Sequence, residues 1–82
     1  MANLFLVWET DAQHNIKTAS LGAVCTSKRQ AVTVAVNSLL EAQVIGTADM
    51  AETKDQLNGN SQTQGLTVNY LIQEIEPNKP LL

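Results

Sequence analysis

The stretch SKRQAVTVAVNSLLEAQVIG, Ser27 to Gly46, has two conflicting interpretations. Its middle alternates valine with alanine or threonine, which is typical of a β-strand. Its two ends instead predict one helix. Ser27 followed three residues later by Gln30 fits a capping box, and Gly46 stands where a left-handed residue often ends a helix. The fold depends on which interpretation is correct.

A helical arrangement of this stretch separates apolar from polar side chains. At about 100° per residue, most apolar residues fall on one half of the helical wheel. That half holds Ala31, Val32, Ala35, Val36, Leu39, Leu40 and Ala42, and the polar half holds Gln30, Thr33, Asn37, Ser38 and Glu41. Val34, Val44 and Ile45 do not follow this division. A strand explains only residues 31–36, because the following NSLLEAQ does not alternate, so we predict a helix.

Three other stretches predict β-strands. Leu4 to Thr10 is rich in aliphatic and aromatic residues and runs into the polar sequence TDAQHN. Its apolar side chains point to both faces, which favours a central position in the sheet. Leu66 to Glu76 alternates in the same way. Ile16 to Cys25 is a weaker run, in which Gly22 predicts a β-bulge or a close backbone approach.

The order strand, strand, helix, strand predicts an α+β fold with a three-stranded antiparallel sheet of order 2-1-3 and one main helix on one face. We expect residues 1–76 to form a single domain and residues 77–82 to form a C-terminal tail. The polar insertion 47–65 is predicted to contain a short helix that Thr47 or Asp49 caps and that runs through Leu57, with Asn58 and Gly59 ending it, followed by a loop. It could cover the second sheet face, or leave that face to a partner.

The uncovered sheet face is the predicted interaction surface. Alternation within each strand gives two candidate sets: Leu6, Trp8, Tyr70 and Ile72, or Phe5, Val7, Leu71 and Ile75. We take the first set as the candidate surface, because Trp and Tyr bury large areas while keeping a polar group. The predicted function is a non-catalytic protein-binding or accessory module that self-associates through an uncovered sheet face or edge, and the predicted partner is a second copy of the chain in a homodimer.

Composition restricts the function classes. Five Lys or Arg against eight Asp or Glu give a formal charge of −3, which opposes contact with a phosphate backbone and disfavours direct nucleic-acid binding. One cysteine and one histidine exclude an internal disulfide and a metal site as stabilising elements. No apolar run approaches the roughly 18 residues of a membrane span. With a single cysteine compatible with a reducing compartment, we predict a cytoplasmic protein without membrane contact.

Candidate catalytic residues are few. Cys25 precedes the predicted helix, and a thiol at a helix N-terminus can be nucleophilic. No general base lies near it in sequence, so a buried structural thiol is the favoured interpretation. His14 lies in a hydrophilic turn and is predicted to be solvated. The glycines are scattered and form no phosphate-binding loop. We therefore predict a protein that is not an enzyme and has no cofactor.

The succession LFLVWETD (4–11), SLGAVCTSKRQAVTVAVNSLL (20–40) and VNYLIQEIEPN (68–78) resembles small uncharacterised strand-strand-helix-strand proteins of bacterial phages, prophages and mobile elements. The resemblance lies in 6–11, 22–27 and 70–76; the valine- and alanine-rich helix and the long polar insertion depart from it. It implies an intracellular accessory protein. An alternative function by analogy is an acidic inhibitor of a host defence or nucleic-acid-handling enzyme. Its contacts would be Glu9, Asp11, Asp49, Glu52 and Asp55.

Overall fold

The stretch that conflicted in sequence is a helix, α1 (Lys28–Glu41), in the computed structural model, which describes residues 3–76. The Ser27 hydroxyl oxygen accepts a hydrogen bond from the Gln30 backbone N–H at 3.1 Å, as the capping box predicted. The Gln30 side chain accepts from the backbone N–H of Thr26, at 3.3 Å, and not from that of Ser27. The helix prediction is confirmed, because capping and the apolar stripe outweigh the small helix penalty of valine.

The end of α1 differs from the prediction. The backbone N–H of Gln43 donates to the Leu40 carbonyl and that of Val44 to the Leu39 carbonyl, each at 3.0 Å. These two bonds form a Schellman motif. Gln43 takes the left-handed conformation, with φ of 60°, whereas Gly46 has φ of −97°. Val44 and Ile45 did not follow the division into apolar and polar halves because they lie beyond the end of the helix.

Replacing Gln43 with glycine should stabilise the protein. A side chain costs free energy at positive φ, and glycine removes that cost. We expect Gln43→Gly to raise the free energy of unfolding by about 1 kcal/mol in urea titrations. Gln43→Ala is the matched control, since alanine keeps the Cβ and should give no gain. An equal gain for both variants would contradict a left-handed Gln43.

The sheet contains β1 (Leu4–Thr10), β2 (Ser20–Cys25) and β3 (Asn69–Ile75) in the order β2-β1-β3. Both pairings are antiparallel, so the predicted α+β fold and strand order are confirmed. β2 is shorter than predicted, because residues Ile16–Thr18 form a turn of 3₁₀ helix. The register shifts opposite Gly22, where an added Cβ would lie 3.4 Å from the Val7 carbonyl oxygen. The bulge and the close approach are both present.

The register between β1 and β3 separates residues that we placed on one face. Val7 is opposite Ile72 and Glu9 is opposite Tyr70, whereas Trp8 is opposite Leu71. Tyr70 and Ile72 therefore share the helix-covered face with Val7, and the prediction that they share a face with Leu6 and Trp8 is wrong. Alternation assigns faces within a strand, but a shift of one residue between strands exchanges the two sets.

The polar insertion forms a second helix, α2 (Met50–Asn60), preceded by a 3₁₀ turn at Thr47–Asp49. The short helix is confirmed, although it extends to Asn60. α2 packs against α1, and its fully buried Leu57 joins the core that α1 forms with the sheet. The insertion therefore lies on the side of the sheet that α1 occupies, and the described residues leave the other face open. The predicted tail, 77–82, lies outside the described residues.

The residues after α2 form more than the predicted loop. The N–H of Thr63 donates to the Tyr70 carbonyl at 3.0 Å, and the N–H of Ile72 donates to the Ser61 carbonyl at 2.7 Å. Residues 61–63 thus run along the free edge of β3, and the Thr63 side chain is fully buried. A polar composition suggested a loop, but long-range hydrogen bonds hold this segment in place.

Candidate interaction surface

One face of the sheet, here called the open face, is covered by neither helix. It consists of side chains that alternate away from the helices: Leu4, Leu6 and Trp8 of β1, Leu21 and Val24 of β2, and Leu71, Gln73 and Ile75 of β3. Two rows cross the three strands, Val24–Leu6–Gln73 and Leu21–Trp8–Leu71. The surface is therefore almost entirely apolar across its full width.

Several of these apolar side chains are exposed to solvent. Leu21 is 49% and Val24 is 55% exposed, and Ile16, in the 3₁₀ turn before β2, is 64% exposed. The bulge at Gly22 is the reason that Leu21 belongs to this face, because the extra residue reverses the alternation of β2. A contiguous exposed apolar patch of this kind often marks a protein interaction site.

Trp8 occupies the centre of the open face. Its indole N–H donates to the Gln73 side-chain oxygen at 3.0 Å, so the ring has one satisfied polar group and an apolar body. Beside it is an open cavity of ≈ 320 Å³, which is lined by Trp8, Ile16, Ala19, Leu71, Ile72 and Gln73. Interface energy often concentrates where an aromatic anchor meets such a pocket. Leu6 lies next to Trp8 along the same face, as predicted.

The two edges of the sheet differ. Residues 61–63 cover part of the outer edge of β3, whereas no described residue pairs with the outer edge of β2. Edge strands in monomeric proteins are commonly protected by charges, prolines or covering loops. The sequence of β2, SLGAVC, contains no charge and no proline. The Gly22 bulge is the one feature of β2 that interrupts its edge. β2 therefore extends the open face to an accessible edge.

Tyr70 and Ile72, predicted as interaction residues, are buried on the other side of the sheet. Burial raises the pKa of the Tyr70 hydroxyl; a hydrogen bond with Ser38 opposes this shift, and the Glu9 carboxylate adds to it. The folded state thus favours neutral tyrosine. The contribution of Tyr70 to stability is present below the pKa that the residue has in the unfolded state. It is lost as pH rises through the higher pKa of the folded state. Tyr70 is therefore a core residue rather than a contact.

Two of the five predicted acidic contacts have structural roles. Asp11 Oδ1 accepts from the backbone N–H groups of Gln13 and Asn15, each at 3.0 Å. Asp49 Oδ2 accepts from the Gly46 N–H at 3.0 Å and so caps the start of the 3₁₀ turn. The Asp11 carboxylate therefore stabilises a turn, and the Asp49 carboxylate caps the 3₁₀ turn.

The acidic residues also do not gather at one place. Glu9 and Asp11 line one surface depression, and Asp49 and Glu52 line another. Asp55 is exposed on α2. Together with the structural roles of Asp11 and Asp49, this dispersion weakens the case for one acidic contact surface. An inhibitor function that uses all five carboxylates stays a prediction.

Sequence reasoning missed a buried polar cluster that connects three segments. The fully buried Asn69 donates to the carbonyls of Asp11, at 3.3 Å, and Leu66, at 3.0 Å. Thr63 Oγ1 donates to Asn69 Oδ1 at 2.9 Å, and His14 Nε2 lies 2.8 Å from the Thr63 carbonyl oxygen. His14 is half-buried, so the prediction of a solvated histidine is wrong. An asparagine inside an apolar strand was the available signal.

The polar groups of this cluster form hydrogen bonds with one another and with backbone carbonyls. Within residues 3–76, every buried side-chain nitrogen or oxygen has a hydrogen-bond partner. Cys25 ends β2 as a free thiol that is 3% exposed. No group of three or more His, Cys, Asp or Glu in the described part of the chain is arranged to hold a metal ion. Neither described helix has the length and apolar character needed to cross a membrane.

Comparison of the chain with family models, with curated proteins and with solved structures finds no match. The resemblance to proteins of mobile elements stays a prediction. The open face is therefore the feature of the described residues that bears most directly on function.

Proposed function

We propose that this protein is a non-catalytic binding module that self-associates through the open face and the neighbouring edge of β2. The observation that carries the proposal is the exposure of Leu21, Val24 and the neighbouring Ile16 beside Trp8, on a sheet face that no described element covers. A small domain has few ways to bury further apolar surface within itself. A second copy presents the same apolar face, so a two-fold contact buries both at once.

The size of the face suggests a weak dimer. β1 has 7 residues; at about 3.3 Å per residue and 4.8 Å between strands, the sheet measures roughly 23 Å by 14 Å. The area of the sheet, about 320 Å², is smaller than the ~800 Å² that each partner contributes to a standard interface. We therefore expect a dissociation constant in the micromolar range, so that dimers form at micromolar protein concentrations.

A cytoplasmic location is part of the proposal. The buried free thiol of Cys25 is compatible with a reducing compartment. An accessory module that acts by contact needs neither a cofactor nor a metal. The buried polar side-chain groups of the described residues all have hydrogen-bond partners, which supports a non-catalytic role.

Self-association can be followed with the natural tryptophan. Trp8 is the single tryptophan of the chain and lies at the centre of the open face. Its emission should shift to shorter wavelength as protein concentration rises from about 1 μM to about 1 mM, in parallel with an increase in mass by light scattering. Leu21→Lys places a charge on this face, and we expect it to weaken association at least tenfold.

The matched control is Asn37→Lys, which adds the same charge at an exposed position on α1. It should leave both the mass and the Trp8 emission unchanged. Circular dichroism establishes that each variant is folded. If folded Leu21→Lys associates as strongly as Asn37→Lys, or if the parent chain stays monomeric over the whole range, the open face does not bind a second copy.

A further inference from the structure

A second surface feature lies away from the open face, between the two helices. The first turns of α1 and the middle of α2 enclose a groove of ≈ 300 Å³, which is lined by Lys28, Arg29, Val32, Thr33, Lys54 and Asn58. Three of the five Lys and Arg residues in the chain lie here. Among the described residues, no carboxylate contributes to the lining, although the chain has a formal charge of −3.

The positive charges in this groove are not neutralised by the protein. Within residues 3–76, the side chains of Arg29 and Lys54 form no ion pair and no hydrogen bond. The Lys28 ammonium donates to the Asn58 carbonyl at 3.1 Å and to the Ser61 hydroxyl at 3.2 Å, which are both uncharged. Like charges that the packing of α1 on α2 brings together repel one another. An anion between them would remove that repulsion.

We propose that this groove binds the phosphate group of a small phosphorylated molecule. The Arg29 guanidinium has the planar geometry that binds two phosphate oxygens at once, and Lys28 and Lys54 supply two further charges. The volume corresponds to the smallest pockets that bind small molecules. A polymer with many phosphates is disfavoured, because the net negative charge of the chain opposes a long phosphate backbone.

Titration with inorganic phosphate tests the proposal. Saturable amide and side-chain shifts are expected in nuclear magnetic resonance spectra at Arg29, Lys54 and Asn58. Arg29→Gln and Lys54→Gln should each weaken binding about fivefold, as expected for exposed charge pairs. Neither side chain has a partner among residues 3–76, so neither variant should unfold. Lys17→Gln removes the same charge from the 3₁₀ turn beside the open face and should bind phosphate like the parent chain.

Comparison anions complete the experiment. Glycerol phosphate should bind at least as well as inorganic phosphate, and succinate at matched ionic strength should bind several-fold more weakly. Binding of inorganic phosphate alone would overturn the assignment to a phosphate monoester. Equal binding of succinate, equal loss in Lys17→Gln, or shifts that rise without saturation would overturn the phosphate site. None of these results depends on self-association, which Leu21→Lys tests separately.

Discussion

Leu39→Ala should lower the free energy of unfolding by about 3 kcal/mol, one of the two largest effects that we expect from a single substitution. Leu39 is fully buried and is among the largest side chains without solvent contact. Truncation to alanine leaves a cavity in a core in which five of the eleven buried residues are alanine or valine, and these short side chains cannot refill it. A domain of this length has roughly 4–12 kcal/mol of total stability, and the loss is a large part of it.

Urea unfolding of the parent chain and the variant at the same concentration, well below the micromolar dissociation constant expected for the dimer, keeps the contribution of dimerisation small. The midpoint should fall while the dependence on urea stays unchanged. Leu40→Ala is the matched control on the same helix, because Leu40 is only partly buried; it should cost about 1 kcal/mol. Equal losses at the two positions would contradict the assignment of Leu39 to the covered side of α1.

Asn69→Ala is expected to cost about 3 kcal/mol, although it removes a polar residue. The substitution removes the hydrogen bonds of Asn69 with the carbonyls of Asp11 and Leu66 and with the Thr63 hydroxyl. The Asp11 carbonyl still accepts from the His14 N–H, and Thr63 Oγ1 still accepts from the Tyr70 N–H. Within the described residues, the Leu66 carbonyl and the Thr63 O–H are the groups that lose their partner. Each unsatisfied buried polar group costs roughly 1–3 kcal/mol. The three segments that the asparagine connects would also lose their shared attachment, so amide exchange should increase in residues 11–15 and 61–66 more than in α1.

The exposed Asn37 provides the control for Asn69. Asn37→Ala should leave stability unchanged or raise it by a few tenths of a kcal/mol, since alanine is the better helix former. Thermal unfolding and hydrogen exchange on both variants separate the two positions. A loss below about 0.5 kcal/mol in Asn69→Ala would mean that water replaces the side chain and that the polar cluster is not a structural element.

Local signals in the chain were sufficient to predict the elements of secondary structure. Ser27 and Gln30 lie within one helical turn, so their capping bonds form wherever that turn forms. β1 begins and ends as predicted, because its apolar composition and the following polar turn are both local. Gly22 also indicated the bulge. The end of α1 was misjudged, since a left-handed glutamine at 43 carries no such sequence signal.

The candidate surface was only partly predictable. Leu6 and Trp8 were assigned to the same face correctly, but Tyr70 and Ile72 were not. Leu21, Val24 and Ile16 were not predicted as surface residues at all. The bulge reverses the alternation of β2. The sequence pattern alone does not show how far the bulge shifts the pairing of β2 with β1.

The types of element, their order and the apolar stripe of α1 follow from local sequence patterns, because hydrogen bonding and side-chain periodicity act within a few residues. Tertiary contacts set which strand faces share a side, that α2 packs on α1, and that Arg29 and Lys54 meet in one groove. Register and helix packing depend on contacts between residues far apart in the chain. A shift of one residue, which local patterns barely oppose, exchanges the buried face with the open one.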